Sequence, residues 1–298
     1  MTQDLLSFRV PPGIGDISWV YSKLAGLGRP LRIEVADSGP RRALPYLELL
    51  PLVKESCYVQ APNPAKIVAV PAICQAGKAL PTWSAEQLVR AASEEVVPID
   101  LNGWLEAGNR IEDFMPEIPT VHHYEMQLPP GPPMIGDGAA PIELFWRRFV
   151  CFYCANQDTV RRWHGWEPRQ WGALARLLMD QCDLDGVALV GATWDRSFAE
   201  RVFAALDFTA VLDLVGHFSL ADTLRAIRRS LYLVAFPSGI PILATVMSRP
   251  TVMFYPDSLR GLMTSWAPPD VLEDGTYKAM PFCEPEAVFD WIKEKLHV

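Results

Sequence analysis

The loop with the clearest chemical signal is Pro11-Pro12-Gly13-Ile14-Gly15-Asp16, which follows the apolar run Leu6–Val10 and precedes a predicted helix over 17–27. Glycines at such a strand-to-helix turn let a substrate approach the backbone, and the helix start favours an anion. The loop lacks the third glycine of a dinucleotide fingerprint and the Gly-Lys-Ser/Thr of a P-loop. Gly13 and Gly15 therefore predict an acceptor or phosphate loop of another kind.

Asp16 admits two interpretations at this position. Aspartate is a favoured N-cap residue, so Asp16 could simply begin the helix. A carboxylate at the first strand-to-helix turn is also placed to act as a general base on the floor of a ligand cleft. The motif alone leaves both interpretations open.

A second loop, Phe236-Pro237-Ser238-Gly239, follows the apolar run Leu231–Phe236 and opens a predicted helix over 239–247. Ser238 is a suitable N-cap and Gly239 allows close approach, so this helix start predicts a seat for a diphosphate. An ordinary strand-to-helix turn explains the same residues.

A third loop, residues 154–163, follows the apolar run Phe149–Cys154. Asn156 could hydrogen-bond a base or a phosphate, and Arg161 and Arg162 could neutralise a pyrophosphate leaving group. The alternative is a solvated basic turn.

Metal and redox motifs are weak, and we predict no cofactor and no metal. Cys151 and Cys154 form a C-x-x-C inside an apolar run, with no second pair to complete four zinc ligands. The D-x-D at 183–185 precedes a strand, as a turn would. The segment His122-His123-Tyr124, in a predicted strand, lacks a third ligand, and the rim of an acceptor pocket is its alternative interpretation.

A scaffold of parallel strands is predicted to position these loops. Short apolar runs rich in Val and Ile alternate with helical patterns, and they cover residues 6–10, 31–36, 66–70, 96–101, 149–154, 187–190, 211–215, 231–236 and 251–255. Several are apolar at nearly every residue, which is typical of strands covered on both faces. Capping patterns at Ser84 and Ser219 begin helices between them. The fold class is therefore α/β with parallel sheets.

The segment 128–141 divides the chain into two halves, because its Pro and Gly residues cannot form a helix or an inner strand. We predict two doubly wound, Rossmann-like parallel-sheet domains facing a cleft, over residues 1–135 and 142–284. A terminal helix over 285–298 begins at Pro285, and helices in this position often pack back on the N-terminal domain.

Composition and charge disfavour some partners. The 298 residues carry a net charge of −8, and residues 1–145 have 11 Lys and Arg against 17 Asp and Glu. A large nucleic-acid surface is therefore not expected. No apolar segment reaches the ~18 residues of a transmembrane helix. The N-terminus lacks the pattern of a secretory signal, which favours a cytoplasmic location.

The loops together resemble the heptosyltransferase-like glycosyltransferases of GT-B fold, the ADP-heptose–lipopolysaccharide heptosyltransferase family. Gly13-Ile14-Gly15-Asp16 is similar to that family's N-terminal G-x-G-D, and Trp166–Trp171 is similar to its W-P-x-x-x-W. The stretch from Leu189 to Pro250 resembles the one ending in D-[ST]-G-x-x-H-x-A. The resemblance covers the first strand-helix unit and nearly all of the second half, whereas residues 40–145 match no named motif.

This resemblance implies an inverting, metal-independent transfer of a sugar from a nucleotide-diphosphate donor to an acceptor hydroxyl. Asp16 would be the base, residues 1–135 would bind the acceptor, and residues 142–284 would bind the nucleotide sugar, which is a substrate. The donor-site residues it implies are Asn156, Arg161, Arg162, Asp195, Ser238 and Gly239. The family's Asp and His are replaced by Pro237 and Ile242, which argues against heptose as the sugar or against transferase activity altogether.

The acceptor and the activity have alternatives. The candidate acceptors are a lipopolysaccharide core, another glycan, a small molecule or a hydroxymethylated DNA base, as in bacteriophage enzymes. A DNA groove would be lined by Lys23, Arg29, Arg41 and Arg42. The alternative activities are a nucleotide-sugar epimerase or hydrolase of the same fold, and a non-catalytic nucleotide-binding relative. The sugar, the base and the oligomeric state stay open.

Overall fold

The chain forms two compact units in a computed structural model. The first comprises Met1–Gln127 and Leu259–Pro268, and the second comprises Leu128–Ser258 and Pro269–Val298. The structure describes residues 5–37, 43–60, 82–131, 133–135, 140–141, 147–154, 166–206, 210–256 and 260–296.

Unit 1 contains a parallel four-stranded sheet. Its strands are β1 (Leu6–Val10), β2 (Leu31–Asp37), β3 (Val53–Gln60) and β4 (Val97–Pro98), in the order β3-β2-β1-β4. Its first four helices are α1 (Ile14–Leu24), α2 (Leu44–Leu47), α3 (Ala85–Glu94) and α4 (Asn102–Glu106). The predicted capping box at the start of α3 is present, because Ser84 and Gln87 exchange both hydrogen bonds.

The strand order of unit 1 reverses at β1, because the chain adds β2 and β3 on one side of it and β4 on the other. Beyond β4, the N–H of Ile99 donates to the carbonyl of Arg9 at 2.8 Å. The loops that follow β1 and β4 therefore begin side by side, at the kind of switch point where open α/β sheets bind ligands.

Unit 2 contains a parallel six-stranded sheet in the order β12-β11-β10-β7-β8-β9. The proline-rich segment before it contributes a short antiparallel pair, β5 (Met134–Ile135) and β6 (Ala140–Pro141). The sheet strands are β7 (Phe149–Tyr153), β8 (Gly186–Leu189), β9 (Val211–Asp213), β10 (Tyr232–Ala235), β11 (Thr251–Tyr255) and β12 (Tyr277–Pro281). The helices that follow in the chain are α5 (Pro168–Gln181), α6 (Arg196–Ala205), α7 (Leu220–Arg229), α8 (Gly239–Val246), α9 (Leu262–Ser265, in unit 1), α10 (Pro269–Glu273) and α11 (Pro285–Leu296).

The central strand β7 is buried on both faces, as its apolar sequence predicts. Val150 and Phe152 contribute to the hydrophobic cluster on one side of the sheet, while Phe149, Cys151 and Tyr153 contribute to the other. Alternate side chains of a strand point to opposite faces, so both faces must be covered. The predicted class of two parallel-sheet α/β domains is confirmed.

The terminal helix α11 packs within unit 2. Its residues Val288, Phe289 and Ile292 are buried in the same cluster as Val150 and Phe152. Its apolar stripe thus completes the core of the second unit, and packing of this helix on the N-terminal domain stays a prediction. Unit 1 also includes Leu259–Pro268, a segment that the predicted limits place in the second domain. No helix in the described ranges has the length and apolar character needed to cross a bilayer.

Candidate functional site

The loop after β1 starts its helix earlier than predicted. Gly13 is the N-cap of α1, and the helix begins at Ile14. Asp16 lies in the first turn of α1, three residues after the cap, and the cap residue makes no side-chain hydrogen bond. The interpretation of Asp16 as the N-cap is therefore wrong, because the glycine already has the extended conformation of a cap. Gly15 is buried in the same turn.

The Asp16 carboxyl group lies in surroundings that favour its protonated form. Burial, followed by the negative charges of Asp100 and Glu106, raises the pKa of Asp16 from 3.8 to about 7. Removal from water and neighbouring like charges both disfavour the ionised form of a carboxyl group. A carboxyl group with this pKa can hold and release a proton near neutral pH, as a general base requires.

Asp100 and Glu106 come from the loop and helix that follow β4. The N–H of Asn102 donates to Oδ1 of Asp100 at 2.9 Å, and the side-chain amide of Asn102 donates to Oε1 of Glu106 at 3.0 Å. Asn102 thus fixes both acids at the edge of the sheet where Asp16 lies. The sequence did not single them out, because only the pairing of β1 with β4 brings them near Asp16.

In unit 2, the helix start after β10 lies at the corresponding switch point. Strand order reverses at β7, which has β10 on one side and β8 on the other. Ser238 caps α8 by accepting a hydrogen bond from the N–H of Ile240 at 3.2 Å. Pro237 and Pro241 have no N–H group. In this described segment, the first turn therefore offers a ligand the N–H groups of Ser238 and Gly239.

Asp195 lies beyond β8 and is buried, with 3% exposure. Its Oδ2 atom accepts a hydrogen bond from the N–H of Ala192 at 2.9 Å, which holds the short 3-10 turn Thr193–Asp195. A Cβ at Gly191 would lie 3.0 Å from the same oxygen. The fold thus accounts for Asp195 structurally, and its role in donor binding stays a prediction. Trp194, in the same turn, is 41% exposed.

Arg196 connects this turn to the loop after β9. Its guanidinium donates to the carbonyl of Val215 at 2.8 Å and lies 3.2 Å from Oδ2 of Asp213 and 3.1 Å from Nε2 of His217. The sequence did not identify this cluster. A signal was available in Asp213, which ends an apolar strand with a charge.

The thiol of Cys154, at the carboxyl edge of the unit 2 sheet, lies near the carboxylates of Asp195 and Asp213. Burial, with the nearby charges of Asp195 and Asp213, raises the pKa of the Cys154 thiol well above its ordinary value. Burial also raises the pKa of Cys151 to about 12. Neither thiol is poised as a thiolate ligand or nucleophile, which agrees with the interpretation of the C-x-x-C as part of a buried strand.

Three predicted donor residues, Asn156, Arg161 and Arg162, lie outside the described residues. The D-x-D lies at the amino end of β8, at the edge of the sheet away from Ser238. There Asp185 accepts hydrogen bonds from the N–H groups of Arg147 and Arg148 at 2.6 and 2.8 Å. This part of the chain stabilises a turn, as its position predicted.

Lys23 does not line the basic groove for DNA that the sequence allowed. Its side chain is buried and its ammonium donates to the carbonyl of Ile118 at 2.7 Å and to the hydroxyl of Thr120 at 3.1 Å. Burial lowers the pKa of Lys23 to about 8. Lys23 therefore holds the 118–120 segment against α1 and cannot contact a phosphate. Arg29 is partly buried, and Arg41 and Arg42 lie outside the described residues.

Tyr124 is buried in the core of unit 1, so the interpretation that it forms the rim of an acceptor pocket is wrong. Residues 122–124 do not form the predicted strand either. Its hydroxyl lies 2.7 Å from that of Ser18 and is also hydrogen-bonded to Tyr46. His122 lies 2.8 Å from Glu112. Burial raises the pKa of Glu112, but hydrogen bonds from His122 and Arg110 outweigh it and lower the pKa to about 2. These contacts join segments within unit 1.

Comparisons with known proteins establish the fold. Escherichia coli ADP-heptose lipopolysaccharide heptosyltransferase II has a TM-score of 0.60 and 14% identity, over 98% of both chains. E. coli heptosyltransferase WaaC with ADP has a TM-score of 0.58 and 15% identity, over 97% of this chain and 99% of that one. A glycosyl transferase family 9 structure from Veillonella parvula DSM 2008 has a TM-score of 0.57 and 11% identity, over 99% and 98%.

No protein-family model matches the sequence, and no curated protein matches it. Because these solved structures share only 11 to 15% sequence identity with the chain, the structural similarity establishes the fold and does not establish the reaction. The resemblance that the loops predicted is thereby confirmed at the level of the fold: the chain has the two-unit α/β fold of heptosyltransferases.

Proposed function

We propose that this chain is an inverting, metal-independent glycosyltransferase that moves a sugar from a nucleotide-diphosphate donor to an acceptor hydroxyl. The observation that carries the proposal is Asp16, a carboxyl group at the switch point of unit 1 whose pKa is raised to about 7. A helix cap has no need of such surroundings, whereas a base that works near neutral pH does.

The proposed reaction is a single displacement. The acceptor hydroxyl transfers its proton to Asp16 while its oxygen bonds to the anomeric carbon, and the bond from that carbon to the diphosphate oxygen breaks. The nucleoside diphosphate leaves with the electron pair, and the sugar inverts its configuration. The departing charge requires electrostatic stabilisation, for which the proposal uses the N–H groups of Ser238 and Gly239 together with Arg161 and Arg162.

Support for a nucleotide-sugar donor comes from unit 2. Among solved structures of the same fold, E. coli heptosyltransferase WaaC has been determined with ADP and with ADP-2-deoxy-2-fluoro heptose. Here Trp194, with 41% exposure, follows the carboxyl end of β8. Large aromatic side chains are seldom left this exposed, and nucleobases stack on them. We therefore include Trp194 in the proposed donor site as the surface for the base.

The donor sugar is proposed to differ from heptose. Pro237 is buried and offers neither a carboxylate nor an N–H, and Ile242 is buried, with 5% exposure. The positions that carry an Asp and a His in the heptosyltransferase pattern therefore have no polar side chain here. A site that lacks hydrogen-bonding groups gains little selectivity for a hydroxyl-rich sugar.

A glycan is the acceptor class that the charges favour. Residues 1–145 are net acidic, and Lys23, one of the cations that would line a DNA groove, is bound to the protein itself. Contacts to phosphates supply most of the affinity for DNA, and they require accessible cations.

A donor panel tests the proposal. Nucleotide sugars are screened by thermal shift, and each that stabilises the protein is then incubated with and without a glycan panel. The proposal expects the nucleoside diphosphate and a new glycoside only when both substrates are present. Free sugar released without an acceptor would support a hydrolase, an isomerised donor would support an epimerase, and binding without turnover would support a non-catalytic relative.

A further inference from the structure

Gly13 lacks the usual reasons for a glycine. Its φ of −72° and ψ of 131° are values that any residue adopts, so backbone freedom does not require glycine here. Its N-cap position does not require it either, because Ser, Asn and Asp cap helices at least as well. Another property of the position must account for the missing side chain.

The Asp16 carboxylate occupies the space that a side chain at Gly13 would need. A Cβ at Gly13 would overlap with Oδ2 of Asp16 and would lie 3.2 Å from its Cγ. The carboxylate thus folds back across the first turn of α1 onto the cap residue. Gly28 is a useful contrast, because its φ of +60° favours glycine while a Cβ added there would meet nothing within 4 Å.

We propose that Gly13 is a positioning residue for Asp16, and that the space left by its missing side chain holds the carboxylate in place. This inference rests on the proposed function, where Asp16 is the base, and it adds a role for the glycine that precedes it. A methyl group at Gly13 would turn the carboxylate away from its present position. Asp16 would then leave the surroundings that favour its protonated form.

A stability cycle tests the positioning role without any substrate. At pH 4.5, where ionisation of Asp16 changes the stability of the folded chain little, Gly13→Ala should lower the urea midpoint of the parent protein, because the methyl group and the carboxyl group compete for one space. In the Asp16→Ala background the same substitution should lower the midpoint clearly less, because the clash is gone and only the poorer capping by alanine remains, partly offset by the restriction of the unfolded chain.

Gly28→Ala is the control, and it should lower the midpoint equally in both backgrounds, because its added Cβ would contact nothing within 4 Å and its cost comes from φ alone. If Gly13→Ala alone does not fold, folding of the double variant Gly13→Ala, Asp16→Ala would equally show that the Asp16 carboxylate is what excludes a side chain at Gly13. An equal loss from Gly13→Ala in both backgrounds would overturn the inference.

The pH profile provides the second readout. In Gly13→Ala, the acid limb of kcat/KM should move from near pH 7 to lower pH by about one unit or more, since a solvated carboxyl ionises more easily. An unmoved limb with full turnover would also overturn the inference. If the parent turns over no donor, the proposed function fails, and the stability cycle still decides the role of Gly13.

Discussion

Replacing Asp16 by Asn separates what the carboxylate does to the fold from what it does in the reaction. Burial, with Asp100 and Glu106, raises the pKa of Asp16 from 3.8 to about 7. Each pKa unit corresponds to ~1.4 kcal/mol, so a shift of about three units corresponds to ~4 kcal/mol. The figure is an upper one, because Asp16 is only partly buried and water screens it.

The sign follows from the proton balance of the folded and unfolded chains. Below about pH 4 both states hold the proton, and Asp16 gives no pH dependence. Between about pH 4 and pH 7 the folded chain keeps a proton that the unfolded chain has lost, so stability falls as the pH rises. Above pH 7 the folded chain carries the ionised group with its full penalty. Asparagine has the same shape and never ionises.

The assay is urea unfolding of the parent and Asp16→Asn at pH 4.5 and pH 8. We expect similar stabilities at the lower pH, and a variant more stable by ~2 to 4 kcal/mol at the higher pH. Glu94→Gln, at an exposed position on α3, is the charge-matched control and should show no such gain. A variant no more stable than the parent at pH 8 would refute the argument that the carboxylate is held in unfavourable surroundings.

Four further predictions follow from the account. Asp100→Asn should move the acid limb of kcat/KM to lower pH, measured in a pH-rate profile, because it removes a negative charge near Asp16. Gly239→Val should weaken every nucleotide-sugar donor alike in calorimetry, by crowding the helix start. Trp194→Ala should weaken nucleotide binding about tenfold, whereas Phe203→Ala, which removes an equally exposed aromatic, should not. Lys23→Met should lower the free energy of unfolding by ~1 to 3 kcal/mol in urea, because it leaves buried oxygens without their donor.

The hydrophobic pattern predicted the inner strands of both sheets and missed two edge strands, β3 and β12. The run at β7 is apolar throughout because both faces are covered, and the pattern identified it to within a residue. β3 and β12 lie at the edges of their sheets, and several of their side chains are exposed. The sequence of β3 therefore mixes Lys and Glu with apolar residues, that of β12 contains Lys278, and neither has a long continuous apolar run.

The start of α1 was predicted three residues late, and the reason is local. Asp16 has a strong intrinsic preference for the N-cap, so the pattern placed the helix after it. The structure begins the helix at Ile14 because Gly13 takes the cap. In the structure, the N-cap preference of Asp16 is therefore not used, and the Asp16 carboxylate lies instead against the cap residue Gly13.

The acidic neighbours of Asp16 could not be found from sequence. Asp100 and Glu106 are distant from Asp16 along the chain, and they approach it because β4 pairs with β1. The burial of Lys23 could not be predicted either, because lysine side chains usually lie at the surface. The ammonium of Lys23 is buried because it donates hydrogen bonds to Ile118 and Thr120. The sequence alone predicted Asp16 as the candidate base. The strand order of unit 1 brings Asp100 and Glu106 near it, and this order could not be predicted from the sequence.

The central claim is that the chain transfers sugars with Asp16 as the base, and product analysis by NMR tests it most directly. The parent and Asp16→Asn are each incubated at pH 8 with the nucleotide sugars that bind and with a panel of glycans. The account predicts a glycoside of inverted anomeric configuration from the parent, and a yield lower by about a hundredfold or more from the variant. A retained configuration, or equal yields from both proteins, would contradict it.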